Sequence, residues 1–194
     1  MLVIPALLLV LVGCGDDSNS GGINLSGVTL PEDNPAVAMY IEGHGTIVVE
    51  LFPEDAPLTV ENFVGLVDDG FYDGLTFHRI IPDFMMQGGD PEGTGMGGSG
   101  TNIVGEFAAN GIDNPILHTR GVISMARSMD FDSASSQFFI MHEDSSFLDG
   151  EYAAFGEVIS GIEVVDSVVE SVTPDPNGAF PEDHPVIGEA RVVN

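Results

Sequence analysis

Glycine and proline interrupt this chain too often for long helices to form. The sequence holds 25 Gly and 12 Pro, and between them the apolar and alternating runs are short. Ala36–Ile41 and Thr46–Leu51 are two such runs, joined by Glu42-Gly43-His44-Gly45, and they predict a β-hairpin. In the second run Ile47, Val49 and Leu51 fall on one face and Thr46, Val48 and Glu50 on the other, because side chains alternate along a strand. Further strands are predicted at Thr76–Ile80, Phe84–Gln87, Val122–Ala126, Gln137–Met141, Ala153–Val158 and Val186–Val193. Two stretches have helical spacing instead. Thr59–Asp68 carries Val60, Phe63, Val64 and Val67, with Thr59 as its expected cap, Glu61 in its first turn and Gly70 as its stop. Gly161–Val172 carries Ile162, Val165, Val168, Val169 and Val172 and is stopped by Pro174, Pro176 and Gly178. Strands and helices do not alternate, so the prediction is a mainly β fold: an antiparallel barrel capped by two helices, not a parallel α/β sheet.

Charge narrows the classes of partner. Asp and Glu number 31 against four basic residues, all arginine (Arg79, Arg120, Arg127 and Arg191), for a net charge of −27. Phosphates would be repelled, which excludes non-specific binding to nucleic acid or to an anionic bilayer. The acids are scattered, which reads as a solvated acidic surface and suggests a high-salt source, where salt screens the self-repulsion. The five histidines lack close ligand spacing, so no metal site is expected. A single cysteine excludes an intramolecular disulfide. The glycine-rich run from Gly88 to Gly100 is not followed by Lys-Ser/Thr, so its glycines are read as tight turns rather than a phosphate cradle.

The N-terminus reads as an address. Met1–Val12 is uncharged and apolar but shorter than the ~20 residues a membrane span takes. It ends in Leu11-Val12-Gly13-Cys14, which resembles the bacterial lipobox. That resemblance implies a signal peptide over residues 1–13 and a lipid on Cys14. A flexible tether is expected over residues 14–33 and a folded domain over residues 34–194. No Lys or Arg precedes Cys14, a departure from the usual signal. The expected product is an exported protein, lipid-anchored to a bacterial membrane.

Three blocks then point to one family. Phe77-His78-Arg79-Ile80-Ile81-Pro82-Asp83-Phe84-Met85-Met86-Gln87-Gly88-Gly89-Asp90 closely resembles the cyclophilin signature. Ser124-Met125-Ala126-Arg127 with Ser136-Gln137-Phe138-Phe139-Ile140, and Phe147-Leu148-Asp149-Gly150 with Phe155-Gly156, resemble the family's later blocks in order and spacing. Pro57–Phe63 resembles its first helix. The resemblance covers roughly Ala36 to Val193. It implies a closed eight-stranded antiparallel β-barrel with a helix over each end, and peptidyl-prolyl cis/trans isomerase activity without metal or cofactor.

The same resemblance assigns roles. Arg79 would stabilise the twisted amide, and Gln87 would contact the substrate carbonyl and position Arg79. Phe84, Met85, Phe139 and Leu148 would form the proline socket. Ala126 and Arg127 would bind the peptide main chain, and Gln137 would support the floor of the groove. Phe147 and Tyr152 stand where many members carry Trp and His. Arg127, where Asn is common, adds a cation expected to favour acidic substrates. Read without the motif, Arg79 is more readily a surface ion-pair partner, the apolar residues ordinary core, and His78 a structural histidine. Gln87 and Gln137 fit a core less easily, since a buried amide needs partners. The expected partners are proline-containing unfolded or exported polypeptides, met by a monomer. A non-catalytic proline-peptide-binding module on the same fold is the alternative, and a passive surface lipoprotein a third.

Overall fold

The computed structural model describes residues 21–172 and 184–194. The signal-like segment, Cys14 and the helix-stopping Pro174, Pro176 and Gly178 lie outside the described residues.

Among the described residues, eight strands form one antiparallel sheet. They are β1 (Ala36–Ile41), β2 (Gly45–Leu51), β3 (Arg79–Ile81), β4 (Met85–Gly88), β5 (Val122–Met125), β6 (Phe138–Met141), β7 (Ala154–Ser160) and β8 (Ile187–Val192), in the spatial order β3-β4-β6-β5-β7-β2-β1-β8. The α-helices among the described residues are α1 (Pro57–Asp68) and α2 (Ile162–Ser171). The expected β1–β2 hairpin is present, with Ile41 opposite Gly45 and Val37 opposite Val49.

The closed barrel expected from the sequence is here a curled half-barrel. Its end strands β3 and β8 share no ladder. Their flanks are stitched instead: Thr76 bridges Val186, the Phe77 N–H donates to the Pro185 carbonyl at 2.9 Å, and the Ile187 N–H donates to the Leu75 carbonyl at 2.8 Å. The predicted strand at Thr76–Ile80 is thus split. Its first residues serve the seam, and only the part from Arg79 onward pairs with β4.

Alternation decides which face does what. Val37, Met39, Ile41, Ile47, Val49, Leu51, Ile80, Met86, Phe138 and Ile140 point into the main core. Helix α1 delivers Phe63 against Tyr72, Phe138 and Phe155, with ring centroids 5.1–5.4 Å apart. Helix α2 buries Val164, Val165, Val168 and Val169 in the same core. It starts at Gly161, whose φ of 86° is left-handed and where a Cβ would strike the Thr46 carbonyl.

Helix α1 begins earlier than predicted and is capped differently. Pro57 opens it, since its fixed φ suits the first turn and it has no N–H to satisfy. Thr59 therefore lies inside the helix, and no acid occupies the first turn. The cap comes from far along the chain. The buried Glu106 carboxylate accepts the Leu58 N–H at 3.1 Å, the Thr59 N–H at 2.8 Å and the Thr59 hydroxyl at 2.7 Å. A carboxylate at this end also suits the helix dipole.

Residues 23–30, read from composition as the end of a tether, carry Ile23, Leu25, Val28 and Leu30 onto the outer face of the β1–β2 hairpin. There they pack on Ala36, Ala38 and Val48. The ordered structure thus starts before Asn34.

Candidate active site

One cross-strand row sets up a groove on the face of the sheet opposite the core. Arg79 of β3 is in register with Gln87 of β4, Gln87 with Phe139 of β6, Phe139 with Ser124 of β5, and Ser124 with Ala154 of β7. The neighbouring row is Ile81, Met85 and Met141. Because side chains alternate, Arg79, Met85, Gln87 and Phe139 all emerge on the same side. Met85, Phe139 and Leu148 join Val122, Met141 and Ala154 in a second apolar cluster, separate from the main core.

These side chains surround a cavity of about 160 Å³. Arg79, Phe84, Met85, Gln87, Ala126, Arg127, Phe139, Leu148 and Tyr152 line it, so the fold brings together nine of the residues singled out from the sequence. Gln137 lines an adjoining hollow, which also holds Met96, Ser133 and Ser135. Phe147 stands at the rim, 70% exposed, with its ring 5.5 Å from that of Phe84. Tyr152 meets Phe139 edge-on at 5.9 Å.

A line of amides holds Arg79. Its Nη1 donates to Gln87 Oε1 at 3.2 Å and approaches Met85 Sδ at 3.9 Å. Gln87 Nε2 donates to Gln137 Oε1 at 2.8 Å, and Gln137 Nε2 donates to the carbonyls of Gly95 (3.1 Å) and Gly97 (2.8 Å). Both half-buried amides thus have partners on oxygen and on nitrogen, as amides partly withdrawn from water need.

The glycine-rich loop is organised by Asp90. Its carboxylate accepts the N–H groups of Glu92, Thr94, Gly95 and Gly97. Burial pushes this carboxyl up, but those four donors outweigh it and hold Asp90 below the usual carboxylate range. At Gly89, with φ of 82°, a Cβ would strike the Ser136 carbonyl, so the strand can turn into the loop only without a side chain there.

Arg79 also differs from the other arginines in its electrostatics. Arg120 pairs with Asp166, Arg127 with Glu151, and Arg191 with Asp73 and Glu189. Among the described residues Arg79 has no carboxylate within ion-pair distance. Burial lowers its pKa and Tyr152 opposes that shift. A guanidinium stays charged at neutral pH nonetheless.

Arg127, expected as a second cation at the groove rim, lines the groove and is held tightly there. Its guanidinium carbon lies 5.0, 4.9 and 4.7 Å from the ring centres of Phe107, Phe131 and Tyr152. Its Nε and Nη2 donate to the Glu151 carbonyl and its Nη1 to the Ser128 carbonyl. Neighbouring aromatic faces and backbone oxygens fix the guanidinium in place, with the Glu151 carboxylate 3.7 Å away.

Sequence reasoning missed one buried group. His118 Nδ1 lies 3.1 Å from Asp149 Oδ1 and Nε2 3.0 Å from Ser124 Oγ, while its ring stacks on Phe139 at 6.0 Å. The order of hydroxyl, imidazole and carboxylate resembles a nucleophilic triad, but Ser124 is 0% exposed. It braces the floor of the groove. Burial lowers the His118 pKa and Asp149 counters it. Only the three-dimensional pairing reveals the group, since Asp149 is 31 positions away. His78 is likewise buried, and burial lowers its pKa.

Comparison with known proteins agrees with this geometry. Residues 36–192 match the family model described as cyclophilin type peptidyl-prolyl cis-trans isomerase/CLD. The chain belongs to the cyclophilin family. Peptidyl-prolyl cis-trans isomerase B of Bacillus subtilis is 50% identical over 123 residues, spanning 63% of this chain and 82% of that protein. Peptidyl-prolyl cis-trans isomerase A of Dickeya dadantii is 42% identical over 180 residues, or 86% and 93% of the two chains. Among solved structures, a Cryptosporidium parvum cyclophilin type isomerase superposes with a TM-score of 0.74 at 30% identity, covering 83% of this cyclophilin and 98% of that chain. The same protein in the presence of the dipeptide Ala-Pro superposes with a TM-score of 0.73 at 31% identity.

Proposed function

We propose that this cyclophilin accelerates rotation about X–Pro bonds at the groove built around Arg79, and that its clients are proteins outside the cytoplasm. The observation that carries the catalytic reading is the placement of Arg79: in a chain of net charge −27, it is half-buried in an apolar groove and braced by an amide, not by a carboxylate.

An X–Pro amide rotates slowly because its nitrogen lone pair is delocalised into the carbonyl, with a barrier of about 20 kcal/mol. At the twisted midpoint the lone pair localises on the nitrogen. A fixed cationic donor stabilises that state more than either planar isomer, and such a differential is what lowers a barrier. Here Phe84, Met85, Phe139 and Leu148 hold the proline ring. Arg79 faces the nitrogen, and Gln87 both fixes the guanidinium and offers its amide to the substrate carbonyl. No nucleophile and no proton transfer are needed. Substoichiometric protein added to an Ala-Pro peptide is expected to produce cis/trans exchange cross-peaks in NMR. Unaltered exchange would contradict the reading.

The location rests on the sequence around Cys14. A lipid there would hold the domain where translocated chains emerge with unisomerised prolines, which otherwise relax over tens of seconds or more. Cys14→Ala is expected to move the protein from the membrane fraction to the soluble fraction. Unchanged fractionation would count against the anchor. The domain is proposed to work as a monomer, which sedimentation would check.

A further inference from the structure

The Phe84 wall of the proline socket sits on a turn closed by a single internal hydrogen bond, from the Phe84 N–H to the Ile81 carbonyl at 3.2 Å. Residues 81–84 connect β3 to β4, and Asp83 within them has φ of 59°, the only left-handed non-glycine residue among those described. For a residue with a Cβ this conformation carries a cost that surrounding structure must offset. One side chain adds to that hold at Asp83 itself. His142, just past β6, accepts the Asp83 N–H on its ring Nδ1 at 3.1 Å. The backbone agrees: the His142 N–H donates to the Phe84 carbonyl at 2.9 Å, and Glu143 N–H approaches the same oxygen at 3.3 Å.

The ring is set from its other side. His142 Nε2 lies 3.4 Å from Asp166 Oδ1 of α2. Asp166 is itself gripped by Arg120, whose Nη2 donates to both carboxylate oxygens at 2.7 and 2.8 Å while its Nη1 donates to the His142 carbonyl at 2.6 Å. This places the ring proton on Nε2, toward Asp166, and leaves the Nδ1 lone pair for Asp83. The charged groups around the ring are therefore Asp166 and Arg120, with the side chains of Asp83, Glu143 and Asp144 close by in sequence. Asp144 is held by the Arg120 N–H at 2.8 Å.

We propose that His142 is a positioning residue for the isomerase, holding the Asp83 turn, and with it Phe84, only while its Nδ1 carries no proton. Protonation turns Nδ1 from acceptor to donor, so it faces the Asp83 N–H with like polarity. The strained turn loses its side-chain hold, and Phe84 loses its fixed place against Phe147 and the socket. Turnover then falls as pH drops and the ring takes up its second proton. The proposal rests on the isomerase reading above.

The test is kcat/KM for an Ala-Pro peptide from about pH 8 to pH 5 in wild type, His142→Asn and His142→Ala, with thermal unfolding at each pH. Asn places a non-titrating oxygen near the Nδ1 position and leaves His78 and His118 untouched. Wild type is expected to fall about 3- to 10-fold across this range, as loss of one hydrogen bond implies. The Asn variant is expected to stay flat, and the Ala variant to be low throughout. Parallel profiles for wild type and the Asn variant, or a wild type without pH dependence, would overturn the proposal, whether or not the Ala variant folds. A wild type inactive at every pH would instead fail the isomerase reading itself and take this proposal with it.

Discussion

Arg79 and Gln87 face each other across β3 and β4, and the guanidinium donates to the Gln87 amide oxygen at 3.2 Å. The same amide donates onward to Gln137, so the cation is aimed by a chain of neutral groups that leaves its charge undiminished. Gln87→Ala is expected to cut kcat/KM by about 10- to 100-fold, the worth of a hydrogen bond to a charged group. Steady-state kinetics with circular dichroism as a folding control would check this.

Asp90 should make the groove acid-sensitive. Its folded-state pKa is depressed, so its stabilisation is present above the ordinary carboxylate value near 3.9 and disappears as pH falls through the lower folded value. Asp90→Asn keeps the shape but cannot accept from all four N–H groups. It is expected to cost about 3 kcal/mol near neutral pH and to shrink that loss at the acid end. Urea unfolding at several pH values measures both.

The sequence made the strands and the site row legible but hid their supports. Gly and Pro mark where strands end, and period-2 alternation separates Ile80, Met86 and Ile140 from Arg79, Gln87 and Phe139. Both signals are local. The Glu106 cap on α1, the His118 link to Asp149 and the packing of residues 23–30 join positions far apart in the chain, and no local pattern encodes them. Arg127 shows the same limit. Its place beside Ala126 was readable, but the cage of Phe107, Phe131 and Tyr152 that occupies it was not.

That cage bears on one expectation, that Arg127 favours acidic substrates. Held there with its side chain largely buried and Glu151 nearby, Arg127 is expected to add little to a preference for acidic substrates. Peptides with Asp or Lys beside the proline should differ little in any way that depends on Arg127. Arg127→Lys is expected to cost about 1–2 kcal/mol through lost stacking and forked bonding, and a peptide preference that inverts in this variant would contradict the assignment.

Salt should stabilise the fold. Three of the four arginines are already matched to carboxylates, and the remaining acids repel one another. Screening shortens that repulsion to about 3 Å at 1 M salt. The melting temperature is expected to rise between low and molar NaCl, and a flat or falling trend would contradict a self-repelling surface.

The central claim is that Arg79 acts on the twisted amide rather than on binding. Its most direct test is Arg79→Ala, measured for both isomerisation rate and affinity with the same Ala-Pro peptide. The expected result is a loss of rate of about 100-fold or more with affinity nearly unchanged. A variant that retains its rate, or that loses rate only in proportion to binding, would contradict the account.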